Sequence, residues 1–397
     1  MKQQMEIRHK HIGWWLCSML MLLFWSCGGQ DTDTDTPDVE QGPFLEIKVY
    51  SPERSQVTRA DIGDVPGDDN ENAIHHMNIW VFENHGTGQP DDGKFVGYLS
   101  VANPNPLVDS PYRILVSETF VDNPPAVDIY VTANVTESNT GIKLDRTTTR
   151  DQLEAALMKH DESHDDESHD PFGLTTPQKV VPPDGLPMSG VLKNQPVYGI
   201  APIVSVLTNV KVARAVSKVR FVFCNSTDAV EQKLTIQSIT FADEMIPKEE
   251  YLFLNAPYTG RNFKVGSEYE AAAPLVNAAK KEVKFYSSPT EYAFMGQTGQ
   301  EYEALINKGI EDERLTEVGK FYLRESDKKI TGTITYTVGS STTALSARFA
   351  MSEAGGFSRN HTWIVYGFFA GKDNLKVFSV DVNDWTESSG EREVYNW

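Results

Sequence analysis

NVKVARAVSKVRFVFC, residues 209–224, sets valine and phenylalanine at largely alternate positions and contains neither glycine nor proline. A period of two marks a β-strand that turns one face to a core. The same pattern recurs on both sides of this run. Upstream, Leu45, Ile47 and Val49 alternate with Glu46, Lys48 and Tyr50. Met77, Ile79 and Val81 form a second such face, with Trp80 and Phe82 opposite, and Val127, Ile129, Val131 and Ala133 follow in VDIYVTANV. Downstream come KLTIQSITFA (233–242), KITGTITYTV (329–338), HTWIVYGFFA (361–370) and LKVFSVDV (375–382). Clusters of Asn, Gly, Pro and Asp separate the runs, as turns require. Helical spacing is confined to RDQLEAALMKH (150–160) and, more weakly, QEYEALINKGI (300–310). The pattern predicts a mainly β chain of two antiparallel β-sandwich domains with a few short helices. A proline- and glycine-rich stretch at 180–202 places the division, giving domains over 60–200 and 201–397.

The first residues read as a targeting segment. Lys2, Arg8 and Lys10 precede an apolar run, Ile12 to Trp25, that is short for a membrane-spanning helix. It leads into Ser26-Cys27-Gly28, so residues 1–27 read as a lipoprotein signal with Cys27 as the acylated residue; export without lipidation is the simpler alternative. Residues 28–59 are then an acidic tether, Gly-Gly-Gln-Asp-Thr-Asp-Thr-Asp-Thr-Pro, followed by the strand of Leu45, Ile47 and Val49. Between that strand and the next lies a polar stretch holding Arg54 and Arg59, with no apolar period. Stretches of this kind attract proteolysis.

The charge excludes one class of partner. Lys and Arg number 36 against 56 Asp and Glu, a net −20, and such a chain lacks the basic face that nucleic acid needs. Of three cysteines, Cys17 and Cys27 fall in the signal, leaving Cys224 as a core residue with no partner for a disulfide or a cysteine zinc cage. HDESHDDESHD (160–170) is the most metal-like stretch, with His160, His164 and His169 among aspartates, but it reads as a solvated low-complexity loop. No nucleophile elbow, phosphate loop or zinc-protease motif is present, so no cofactor, metal or catalytic residue is assigned and the chain is read as a non-enzyme.

Several pieces, in order, resemble the major fimbrillin family, the type V pilins of Bacteroidales. They are the Cys27 region, TRADIGDVPGDD with HHMNIWVFENHG (within 58–86), DIYVTANV, PMSG (187–190), VKVARAVSKVRF (210–221), SRNHTWIVYGFF (358–369), LKVFSVDVNDW and the closing VYNW. The resemblance implies Greek-key, transthyretin-like sandwiches and a fimbrial subunit at the cell surface, made through an outer-membrane lipoprotein precursor and serving adhesion or biofilm formation. It implies an arginine-specific protease that cuts between Arg59 and Ala60, with Arg54 the lesser site, and so removes the strand of Leu45, Ile47 and Val49. A strand from a neighbouring subunit then fills the groove. The donor expected here is the C-terminal stretch carrying Leu375, Val377, Val380, Val382, Trp385, Val394 and Trp397. The partners implied are other copies and accessory subunits. Two other readings stay open: a tip, accessory or anchor subunit that binds a ligand, and a surface glycan-binding lipoprotein.

Overall fold

The computed structural model describes residues 44–50, 71, 73–104, 112–115, 126–159, 181, 184–200, 203–205, 208–253, 268–269, 281–286, 299–351, 357–371, 374–382 and 394–396. In chain order the strands begin with β1 (Phe44–Tyr50), β2 (His76–Asn84), β3 (Phe95–Ala102), β4 (Tyr112–Leu115) and β5 (Ala126–Ala133). Helices α1 (Glu137–Thr140) and α2 (Arg150–Ala155) come next, then β6 (Leu157–Lys159), β7 (Met188–Gln195), β8 (Tyr198–Ile200), β9 (Ile203–Ser205), β10 (Thr208–Lys211), β11 (Ala213–Arg214) and β12 (Val216–Asn225). The rest are β13 (Leu234–Phe241), β14 (Glu249–Tyr251), β15 (Lys281–Glu282), helix α3 (Gly299–Glu311), β16 (Thr316–Arg324), β17 (Ile330–Val338), β18 (Leu345–Met351), β19 (Thr362–Phe369), β20 (Leu375–Asp381) and β21 (Val394–Asn396). The chain is mainly β, as its alternation predicts.

Two sandwich cores result. The first lies between the sheet β10-β1-β4 and the sheet β11-β7-β5-β2-β3. Leu45, Ile47, Ile114 and Val210 from the small sheet, with Val212 just past β10, share a core with Met77, Ile79, Val127, Ile129 and Val131 from the large one. The outer face of the large sheet is also buried: Trp80, Phe82 and Tyr130 pack with Leu153 of α2 and with Phe253. The second core lies between β16-β12-β19-β20-β21 and β15-β13-β17-β18. Phe221 is at its centre, with Phe241, Phe321 and Phe349 edge-on at 6.2, 5.9 and 5.2 Å. On the far side of the same sheet, Tyr302 and Ile306 of α3 cover Val222, Cys224, Ile364 and Tyr366. Because both faces are covered, β12 and β19 are buried along their whole length. Burial pushes the Cys224 thiol up to about 11, which keeps it an unreactive packing group.

Three details depart from the sequence reading. The run 209–224 is not one strand. Thr208–Lys211 joins β1, Ala213–Arg214 joins β7, and Val216–Asn225 enters the second core. Gly190 permits the crossing, since a Cβ there would lie 2.5 Å from the Lys211 carbonyl oxygen. Next, the helix expected over 150–160 stops at Ala155. Thr149 caps its start in a capping box with Gln152, but Leu157, Met158 and Lys159 pair instead with Tyr251, Glu250 and Glu249. Tertiary pairing overrides local propensity there. Finally, β1 with β10 and β12 with β19 run parallel in otherwise antiparallel sheets. Long connections that pass through the opposite sheet allow this.

Candidate functional site

Strand β1 is the one predicted to be removable, and its setting is specific. It lies in the middle of its sheet, antiparallel to β4 and parallel to β10. Leu45 pairs with Ile114 and Ile47 with Tyr112 on one side; Ile47 pairs with Thr208 and Val49 with Val210 on the other. Leu45 and Ile47 are fully buried and Val49 is half-buried, so the period read from the sequence is the period of burial. Full burial of such side chains contributes about 1.5–3 kcal/mol each. The outward face is held weakly. Arg113 Nε donates to Glu46 Oε1 at 3.1 Å and lies over the Phe44 ring at 4.6 Å, but the pair is solvent-exposed and screened.

A strand in this place is interchangeable in chemical terms. Its main chain bonds to both neighbours whatever its sequence, while two inward aliphatic side chains set its register. Taking it away leaves a slot one strand wide between β4 and β10, floored by Met77, Ile79, Val96 and Val212 of the first core. Cys27, Arg54, Arg59, Ala60 and the histidine-rich 160–170 lie outside the described residues, as do Trp385 and Trp397.

The expected donor residues fall in two groups. Leu375 and Val377 are buried in the chain's own second core, on β20, which pairs with β19 from Phe369↔Leu375 to Trp363↔Asp381. Val380 is in the same strand, opposite Ile364, and Val382 packs on the α3 side of the sheet. Val394 belongs to β21, an edge strand that pairs with β20 through Val380↔Val394, Ser379↔Tyr395 and Phe378↔Asn396.

Among the described residues, two of the buried charge clusters that escaped the sequence reading bear on how the strands are held. In the first, Glu71 meets Lys218, Lys320 and Tyr322. In the second, Arg359 Nη2 donates to Glu325 Oε1 at 2.6 Å and to the Tyr251 carbonyl at 2.5 Å, and Nη1 donates to the Leu252 carbonyl at 3.0 Å. Glu250 is 3.8 Å from the same guanidinium and fully buried. The segment around β14 thereby ties the cores together: Ser189 Oγ donates to the Leu252 carbonyl from the first side, and Arg324 Nε to the Pro247 carbonyl from the second. The available signal was the cations Arg214, Lys218 and Arg220 set within an apolar run, and Arg359 just before another. A buried cation demands a buried partner, but its identity is not local information.

No family model matches the sequence, and no curated protein matches it. Among solved structures, the chain is similar to a protein assigned to cell adhesion from Bacteroides eggerthii, at 16% identity and a TM-score of 0.44, over 90% of this chain and 96% of that one. It is similar to the fimbrial anchor protein Mfa2 from Porphyromonas gingivalis, at 9% identity and a TM-score of 0.36, over 87% of this chain and 98% of that one. It is also similar to proteins assigned to polysaccharide binding from Bacteroides thetaiotaomicron, at 10% identity and a TM-score of 0.40, over 89% of this chain and 98% of those.

Proposed function

We propose that the chain is a structural subunit of a cell-surface fibre. It is exported with lipid on Cys27, cut between Arg59 and Ala60, and polymerised by strand exchange. The observation that carries this reading is the placement of β1. It is a central strand near the head of the chain, held by two buried side chains and two ladders, and separated from β2 by a polar stretch with two arginines. A cut there leaves a core with an open slot that exposes apolar surface, and a strand from a second copy restores what was lost. Each copy accepts at one place and donates at another, so the contact is heterologous and builds an open filament. The donor in this reading is the C-terminal tail beyond β20.

Assembled fibres should begin Ala60-Asp61-Ile62 on N-terminal sequencing. Subunits that keep Leu45 to Val49 within the fibre would refute strand removal and favour a terminal or ligand-binding subunit. A second measurement tests the anchor. Metabolic labelling with a fatty-acid analogue should mark the precursor, and Cys27→Ala should abolish the label; label that persists in that variant assigns the lipid elsewhere.

A further inference from the structure

Glu71 stands at the approach to β2, twelve residues past Arg59, and is buried although charged. Its carboxylate reaches the sheet of the second core. Tyr322 Oη donates to Oε1 at 2.5 Å, Lys218 Nζ donates to Oε2 at 3.1 Å, and Lys320 Nζ lies 3.6 Å from Oε1. Arg214, fully buried, donates from Nε to the Glu71 carbonyl at 3.1 Å and from Nη1 to Asn360 at 3.3 Å. Lys218 is itself shared with Glu303 at 2.8 Å.

The next residues are held from the other side. Asn134 Nδ2 donates to the Ala73 carbonyl at 2.6 Å, and the His75 N–H donates to Asn134 Oδ1 at 2.8 Å. Gly185 closes this contact at φ +82, where a Cβ would lie 2.9 Å from the Ala73 oxygen. The approach to β2 is thus gripped by the second core through Glu71 and by the first core through Asn134.

In the intact chain this approach is held at three points: β1 seated in its slot upstream, Glu71 itself, and Asn134 nearest to β2. Cutting between β1 and Glu71 removes the first tether. A segment that loses its upstream anchor and lies close to a new chain terminus tends to fray. We infer that Glu71 is a positioning residue that keeps the head of β2 seated once the chain before it is severed. Opening the slot then does not unzip the sheet that forms its floor. The inference rests on the reading that the chain is cut between β1 and β2. A carboxylate suits the task because its bonds to several donors are charge-assisted, two of them lysines and one a tyrosine hydroxyl.

The test uses the full chain with a site-specific endoprotease sequence inserted after Arg59, so that cleavage does not depend on the natural site. Deuterium exchange over Ala73–Ile79 is compared for the parent and Glu71→Gln, each uncut and cut. The parent should exchange alike in both states. Glu71→Gln should match it when uncut and exchange about tenfold faster when cut. Equal acceleration in the uncut variant would make Glu71 a general packing residue and overturn the inference, as would no acceleration in either state. If Glu71→Gln does not fold, Tyr322→Phe removes one of its donors and should show the same cut-dependent effect at about two- to threefold. The mass of the released fragment, read on the same sample, separately tests the maturation reading. A retained fragment carrying Leu45 and Ile47 would refute strand loss, while the exchange comparison still decides the role of Glu71.

Discussion

Arg359→Met is expected to lower the unfolding free energy by about 3–5 kcal/mol in urea titrations at neutral pH. Methionine fills much of the space but supplies no cation. Glu325 then loses its 2.6 Å partner, Glu250 loses the nearby positive charge, the Tyr251 carbonyl loses the guanidinium donor, and the Leu252 carbonyl keeps only Ser189 Oγ of its two side-chain donors. Glu250, Leu252 and Glu325 are buried, where water does not replace the missing bonds, and Tyr251 is half-buried. A change within about 0.5 kcal/mol, the range of ordinary surface substitutions, would show that the cluster is not the tie between the cores that its geometry describes. The companion variant, Glu250→Gln, isolates the pH dependence. Burial pushes the Glu250 carboxyl up to about 8 from 4.5; Glu325 adds to the rise, while Arg359 and Arg324 oppose it. The folded chain therefore holds this proton to a higher pH than the unfolded chain does. Stability from this group is fully present below about 4.5 and is lost as the pH climbs through about 8. Glutamine cannot ionise, so Glu250→Gln should flatten the fall in urea midpoint between mildly acidic and mildly alkaline buffer. Parallel curves for variant and parent would remove Glu250 as its source.

Deleting Thr386–Trp397 is expected to abolish assembly completely while leaving an exported, cleaved and folded subunit. Both cores survive the deletion, because Leu375, Val377 and Val382 remain in place and only β21 is lost from the sheet edge. Strand β21 meets β20 at three residue pairs, a short engagement that a longer slot elsewhere can outcompete. Electron microscopy of the cell surface and sedimentation of the released protein read the outcome: monomers instead of filaments. Filaments of normal length from the truncated chain would place the donor strand elsewhere.

Much of the fold was legible in the residues. Leu45 and Ile47 alternate in the sequence and are both buried in β1, and the apolar runs at 216–225 and 362–369 became strands covered on two faces. The weaker of the two helical expectations, over 300–310, is the helix of residues 299–311, and Tyr302 and Ile306 of that helix are what cover the second sheet. These features are local. Side-chain period reports which face is wet and which is dry, and it does so one segment at a time.

What the sequence determined by itself was therefore the β class and the strands of strongest alternation, though not β3, β4, β7, β16 or β18, together with the acidic balance and the polar stretch with Arg54 and Arg59. What only the tertiary structure decided was adjacency. It placed β1 beside β10, with more than a hundred residues of chain between them, divided 208–225 among three sheets, and turned Met158 from helix to strand because Glu250 lay opposite. It also chose Glu71 as the partner of Lys218 and Glu325 as the partner of Arg359. The physical reason is the same in each case. Alternation fixes the direction in which a residue points, but a ladder partner or a buried counter-charge is chosen by whichever distant segment satisfies the remaining hydrogen bonds and charge at least cost in conformational entropy.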